Sequence, residues 1–146
     1  MKIAFASDHA GFEYKQELLE WIRDNEHQVV DFGTFTNNSV DYPDYAYPAA
    51  ESVAANIADF AVIICGSGVG MSITANKVTG IRAANCCNPE MARLSREHNN
   101  ANVLTFGARF IDIDTAKAMI REFIEGEFQG GRHIIRVEKI HSLTGW

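Results

Sequence analysis

Short apolar runs take turns with longer amphipathic stretches along this chain, so its pattern switches repeatedly between strand and helix periods. Residues 2–6 predict a buried strand. A helix over 12–25 follows, with Phe12, Leu18, Leu19 and Ile22 on its apolar face. A second strand over 28–32 is closed by Gly33, and the polar segment 34–41, with Asn37-Asn38-Ser39, reads as a loop. Residues 43–57 read as a helix with Pro43 and Pro48 near its start, where Pro48 threatens a break or kink. The continuous apolar run 60–65, bounded by Asp59 and Gly66, is the clearest strand. A helix over 69–78 and a strand over 81–85 come next. Asn88 caps a helix over 89–97 that has Pro89 at its first position, a favoured pairing. A fifth strand over 103–106 precedes a long helix, capped by Asp112 or Asp114 and ending near Gly126. After Gly130-Gly131, residues 132–143 predict a last helix.

This alternation favours parallel strands joined by helical crossovers. The expected fold is a single α/β domain over 1–146, a Rossmann-like three-layer sandwich. It has a five-stranded parallel sheet and a C-terminal helix packing outside the core. No internal repeat, low-complexity tract or linker divides the chain. In such sheets ligands bind beyond the carboxyl ends of the strands, near a reversal of strand order. The first candidates therefore follow strands one, three and five. They are Ser7-Asp8-His9-Ala10-Gly11, Cys65 with its glycines, and Gly107-Ala108-Arg109.

Composition narrows the partners. An apolar share of 47% and a charged share of 22% are those of an ordinary globular chain. The formal net charge of −6 weighs against nucleic acid or an anionic membrane, but leaves room for a small anion at a local basic site. No stretch approaches the roughly 20 apolar residues that span a bilayer. The N-terminus lacks a secretory pattern. Three cysteines, at 65, 86 and 87, fit neither a disulfide framework nor a zinc spacing. Free thiols in a reducing cytoplasm are expected.

The run Cys65-Gly66-Ser67-Gly68-Val69-Gly70 carries the most chemistry. It opens a helix, so unpaired N–H groups and the positive end of the dipole favour an anion there. Met71 stands where the dinucleotide fingerprint needs a third glycine, and the Walker ending Gly-Lys-Ser/Thr is missing. A plain strand-to-helix turn is the simpler reading of the glycines, and a core-filling thiol the simpler reading of Cys65. A thiol at a helix N-terminus, however, gains thiolate character. A phosphatase loop of the form C-x5-R would need Arg at 71, so nucleophilic phosphoryl transfer is set aside. The other reactive role is a base that removes a proton from carbon beside a carbonyl, with loop N–H groups receiving the enediolate oxygens.

Elsewhere the pattern leaves alternatives open. Asp8-His9 is equally a helix cap with a surface histidine. His98-Asn99 follows a helix and precedes strand five, at the amino end of the sheet and away from Cys65 of the same chain. A catalytic His98 would therefore serve the site of a second subunit. Arg132 and Arg136, one helical turn apart, could grip a phosphate, although a solvated basic face is the commoner meaning of such a pair.

The chain resembles the type B ribose-5-phosphate isomerases, within the group that includes galactose-6-phosphate and allose-6-phosphate isomerases. The matching blocks begin with Ala6-Ser7-Asp8-His9-Ala10-Gly11, Val40-Asp41-Tyr42-Pro43-Asp44-Tyr45 and Ile64-Cys65-Gly66-Ser67-Gly68-Val69-Gly70. They continue with Ala75-Asn76-Lys77, Gly80-Ile81-Arg82-Ala83, Leu94-Ser95-Arg96-Glu97-His98-Asn99 and Gly130-Gly131-Arg132-His133. The resemblance implies a pentose phosphate pathway enzyme that interconverts ribose 5-phosphate and ribulose 5-phosphate through a cis-enediolate. It makes Cys65 the base, gives ring opening to Ser67 and His98, and sugar contact to Asp8 and Tyr42. His9, Arg109, Arg132 and Arg136 would hold the phosphate, with Gly66, Gly68, Val69, Gly70 and Asn99 completing the site. It further implies no metal or cofactor, and a homodimer, or a tetramer, with shared sites. Ser67 stands where this branch commonly has Thr, which keeps the hydroxyl. Met71 replaces the Glu that another branch uses as base. The competing readings are a hexose-6-phosphate isomerase and, from another class, a non-catalytic phosphate-binding module, which would need neither Cys65 nor His98.

Overall fold

The computed structural model describes residues 1–145. Its elements run β1 (Lys2–Ser7), α1 (Phe12–Asp24), β2 (Gln28–Asp31), α2 (Pro43–Ala54), β3 (Phe60–Cys65) and α3 (Val69–Ala75), then β4 (Ala83–Asn85), α4 (Pro89–Asn99), β5 (Val103–Gly107), α5 (Ile113–Glu125) and α6 (Arg132–Thr144). The strands form one parallel sheet in the order β2-β1-β3-β5-β4. The order reverses between β1 and β3, which opens a crevice beyond their carboxyl ends. Register puts Ser7 beside Ile64 and Cys65 beside Gly107, so the candidate segments leave the sheet at one level.

The two faces of the sheet explain the continuous apolar runs, because a strand covered on both sides has no polar face. Ile3, Phe5, Val62 and Ile64 pack with Leu18, Ile22, Met119 and Phe123 of α1 and α5. Their sequence neighbours Ala4, Ala6, Ala61 and Ile63 pack with Ala46, Ala50 and Met71 of α2 and α3. This is the expected three-layer α/β architecture. Helix α6 adds little to it and buries only His133 and Val137.

Several boundaries differ from those read in the sequence. Helix α2 runs through Pro48 without a break and stops at Ala54, because Asn56 adopts φ 56°. Helix α3 stops at Ala75 rather than 78. The Asn76 side chain there turns to the sheet edge, donating to the Ala83 carbonyl at 2.9 Å and accepting from the Ala83 N–H at 2.9 Å. Strand β4 lacks residues 81 and 82, because the Ile81 N–H bonds back to Val78 and the Arg82 N–H donates to Asn102 Oδ1. Of the two candidate caps for α5, Asp112 is the one that accepts from Thr115 N–H, at 2.9 Å. Helix α4 continues to Asn99, so His98 and Asn99 lie on its last turn rather than in a following loop.

Candidate active site

Beyond β1 and β3, His9, Tyr42, Cys65, Gly66, Ser67, Gly70 and Arg109 line a cleft of about 390 Å³, together with Ala10 and Phe110. Cys65 is the last residue of β3 and is nearly buried. The N–H of Gly68 donates to its Sγ at 3.0 Å. Gly68 reaches this position with φ 79°, and a Cβ there would stand 2.2 Å from Asn85 Oδ1 and 2.6 Å from the Phe106 carbonyl carbon. Only glycine satisfies both demands. The Val69 N–H turns to Ser67 Oγ at 3.3 Å, which orients the hydroxyl at the cleft wall. Thus two of the loop's N–H groups bond within the loop, and Gly68 and Val69 do not line the cleft.

The other walls come from distant segments. The Tyr42 ring lies so close to Gly70 that a Cβ at 70 would stand 2.8 Å from it. The Arg109 guanidinium lies over Gly66, 3.1 Å from where a Cβ would be. It is held by backbone bonds from Ala108 N–H to the Cys65 carbonyl and from Arg109 N–H to the Gly66 carbonyl. Val40 N–H donates to His9 Nδ1 at 3.2 Å. That bond needs a lone pair on Nδ1 and leaves the ring proton on Nε2 as a donor. Asp8 is nearly buried, does not line the cleft, and its Oδ1 accepts from Ala10 and Gly11 N–H at 2.9 and 3.1 Å.

His98, Asn99, Arg132 and Arg136 lie elsewhere. His98, on the last turn of α4, stacks on His133 of α6 with ring centroids 4.3 Å apart and 8° between planes. Burial, and then the charges of His98, Arg132 and Arg136, hold the His133 imidazole below its ordinary pKa. Asn99 lines a separate groove of about 420 Å³ with Asn76, Arg82 and Ile140. The α4–α6 patch and the cleft are therefore two groups within one subunit. Met71 is fully buried in the core and offers no reactive group. Cys86, also buried, has its thiol pushed up to about 11 by desolvation. Among the described residues, no three His, Cys, Asp or Glu side chains converge as a metal would require.

Sequence reasoning missed Val40, which acts through its backbone 31 residues from His9 and leaves no local signal. It also missed Phe110 as a wall. His133 stood beside Arg132 in a matching block, but its stacking on α4 is a tertiary contact that no spacing reveals.

A parallel sheet whose switch point carries a hydrogen-bonded thiol between a histidine and an arginine defines an α/β enzyme acting on small anionic molecules. Comparisons narrow this class. The family model described as Ribose/Galactose Isomerase matches residues 3–140. The ribose-5-phosphate isomerase B of Escherichia coli is 44% identical over 142 residues, covering 97% of this chain and 95% of that protein. The solved ribose-5-phosphate isomerase B of Clostridium thermocellum superposes with a TM-score of 0.98 at 48% identity, covering 99% of this chain and 98% of the other. The Mycoplasma genitalium enzyme with bound ribulose-5-phosphate superposes with a TM-score of 0.94 at 37% identity, covering 99% and 96%. The chain belongs to the ribose/galactose isomerase family.

Proposed function

We propose that this chain interconverts D-ribose 5-phosphate and D-ribulose 5-phosphate through a cis-enediolate, with Cys65 moving the proton. One observation carries the reading: the Gly68 N–H is aimed at Cys65 Sγ at 3.0 Å, in a cleft that also holds His9 and Arg109. The names of the relatives supply the substrate. In the open-chain aldose, the thiolate takes the C2 proton and the electron pair moves into the C1–C2 bond. The C1 carbonyl oxygen becomes an enediolate oxygen, received by the loop around Gly66, Ser67 and Gly70. The thiol then returns the proton to C1 through the C1–C2 electron pair, while the O2 proton passes to O1 and C2–O2 becomes the carbonyl, giving the ketose. Ser67 and His98 assist ring opening, and Tyr42 holds a sugar hydroxyl, while Asp8 acts from behind the cleft wall by fixing the Ala10 and Gly11 N–H groups. His9 Nε2–H and Arg109 grip the phosphate together with Arg132 and Arg136.

The working form is a homodimer with shared sites. Cys65 lies at the carboxyl end of β3, whereas α4 delivers His98 and Asn99 to the amino end of β5. Four residues of β5 separate those ends, about 13 Å. A second copy whose cleft covered α6 would, by two-fold symmetry, bring its own His98 patch to this cleft. Helix α6 exposes Ile135 at 70% and Leu143 at 76%, an apolar face suited to such a neighbour. No helix among the described residues is long and apolar enough to cross a membrane, and all three cysteines are unpaired, which supports work in the cytoplasm.

Incubation with ribose 5-phosphate in heavy water tests the chemistry. Turnover with deuterium entering substrate and product is expected, and the absence of both turnover and exchange would refute the proposal. A panel of pentose and hexose phosphates ranks the substrates, with ribose 5-phosphate expected first.

A further inference from the structure

Lys15 of α1 is completely buried, an uncommon state for an ammonium group, and the proton transfer described above makes no use of it. Its Nζ donates to Asp31 Oδ1 at 2.5 Å and lies 5.2 Å from the centre of the Phe35 ring. Asp31 Oδ1 also accepts from Gly33 N–H at 2.9 Å. The peptide joining Gly33 to Thr34 clamps the end of β1. Ser7 N–H donates to the Gly33 carbonyl at 2.7 Å, and Thr34 N–H donates to the Ser7 carbonyl at 2.8 Å. From there the chain advances by side-chain turns: Thr36 N–H to Thr34 Oγ1, Asn38 N–H to Thr36 Oγ1, and finally Val40 N–H to His9 Nδ1. Lys15 thus touches the root of the 31–40 segment through Asp31 and its middle through Phe35. The far end of that segment sets the tautomer of His9.

We propose that the Lys15–Asp31 pair is a positioning element for His9. The pair fixes the 31–40 segment so that Val40 meets Nδ1 and Nε2–H faces the substrate phosphate. A buried ion pair is a weak source of stability, since its desolvation offsets its attraction, so its retention here calls for another explanation. Positioning supplies one. Lys15 and Asp31 never touch the substrate, so their loss acts on phosphate binding and spares proton transfer at Cys65.

Two variants test this. Lys15→Met removes the charge with little change of shape, and Asp31, still partly exposed, can be solvated. Lys15→Met/Asp31→Leu replaces the whole pair by apolar groups and also strips the buried Gly33 N–H of its acceptor. In either folded variant, KM for ribose 5-phosphate should rise about tenfold while kcat stays within about twofold. Nitrogen-15 shifts of the His9 ring at alkaline pH give the second readout. The parent should show an unprotonated Nδ1 and a protonated Nε2, and in the variants the two shifts should converge as tautomers mix. Only the kinetic arm rests on the proposed isomerase activity, and the ring signal reads His9 in a protein with no turnover. An unchanged His9 signature in a folded variant would overturn the proposal, as would a kcat loss at constant KM.

Discussion

The cleft beyond β1 and β3 and the patch on α4 and α6 hold the two halves of the proposed site, and they are built by different means. In the cleft, Cys65 and Arg109 leave strand ends that parallel ladders hold on either side, and Gly68 and Gly70 let backbone and ring come into contact. On the patch, His98, Arg132 and Arg136 stand on helix surfaces joined by one histidine stack and little buried area. Proton transfer between adjacent carbons needs its base placed closely, and strand ends provide that rigidity. Groups that close over a substrate from outside can sit on a surface, because in the proposed dimer a second copy would complete their environment. The difference teaches that one folded subunit presents Cys65 in the cleft but does not by itself gather His98, Arg132 and Arg136 around it.

Breaking the thiol side should give the largest effect. Cys65→Ala is expected to lower kcat by about 10³-fold or more while phosphate-ligand binding persists. Activity near the parent's would mean that another residue is the base. His98→Ala should cost about 10²-fold, through ring opening. Mixing the two inactive proteins sharpens the comparison. If the halves come from different subunits, random exchange places half the chains in mixed dimers, each with one intact site. About a quarter of parent activity should return. No recovery in verified mixed dimers would assign both halves to one chain.

The two regions also differ in how they use glycine. Gly68 and Gly131 both have positive φ, 79° and 54°, but only Gly68 has atoms crowding the place of a Cβ. Gly68→Ala should therefore destabilise by about 3 kcal/mol and displace the Cys65 loop, whereas Gly131→Ala should cost about 1 kcal/mol from backbone strain alone. Denaturant unfolding measures both. Equal costs would mean that the Asn85 and Phe106 contacts relax freely.

Legibility in the sequence followed the same division. The strand run 60–65 and the helix opened by Gly68 and Val69 were readable because their signals are local and continuous. The end of α3 was misplaced because Asn76, an unremarkable helix residue by composition, bonds across to Ala83. The extent of α4 was short by two residues because its stop is the left-handed Asn100 rather than a glycine. The place of Cys65, Ser67 and Arg109 at the cleft was legible from strand-end position. Val40 on His9 and His133 on His98 were not, since both are contacts between segments far apart in the chain.

The smallest effect expected separates the regions by pH. Burial first, then neighbouring positive groups, holds His133 below its ordinary pKa, and burial with Arg82 does the same to His141, also on α6. The unfolded chain consequently binds more protons than the folded one once pH falls below about 6.5. Stability from these rings is full above that value and is lost as pH drops toward the folded pKa. Between pH 7 and 5, amide exchange along α6 should therefore quicken before exchange in the β1–β3 ladder does. His133→Phe, which keeps an aromatic face against His98 but cannot titrate, should flatten part of that slope. His141 would keep the remainder. Should α6 and the ladder open together across this range, with the variant's slope equal to the parent's, the patch would be as firmly built as the cleft. The contrast between the two regions would then rest on their chemistry alone.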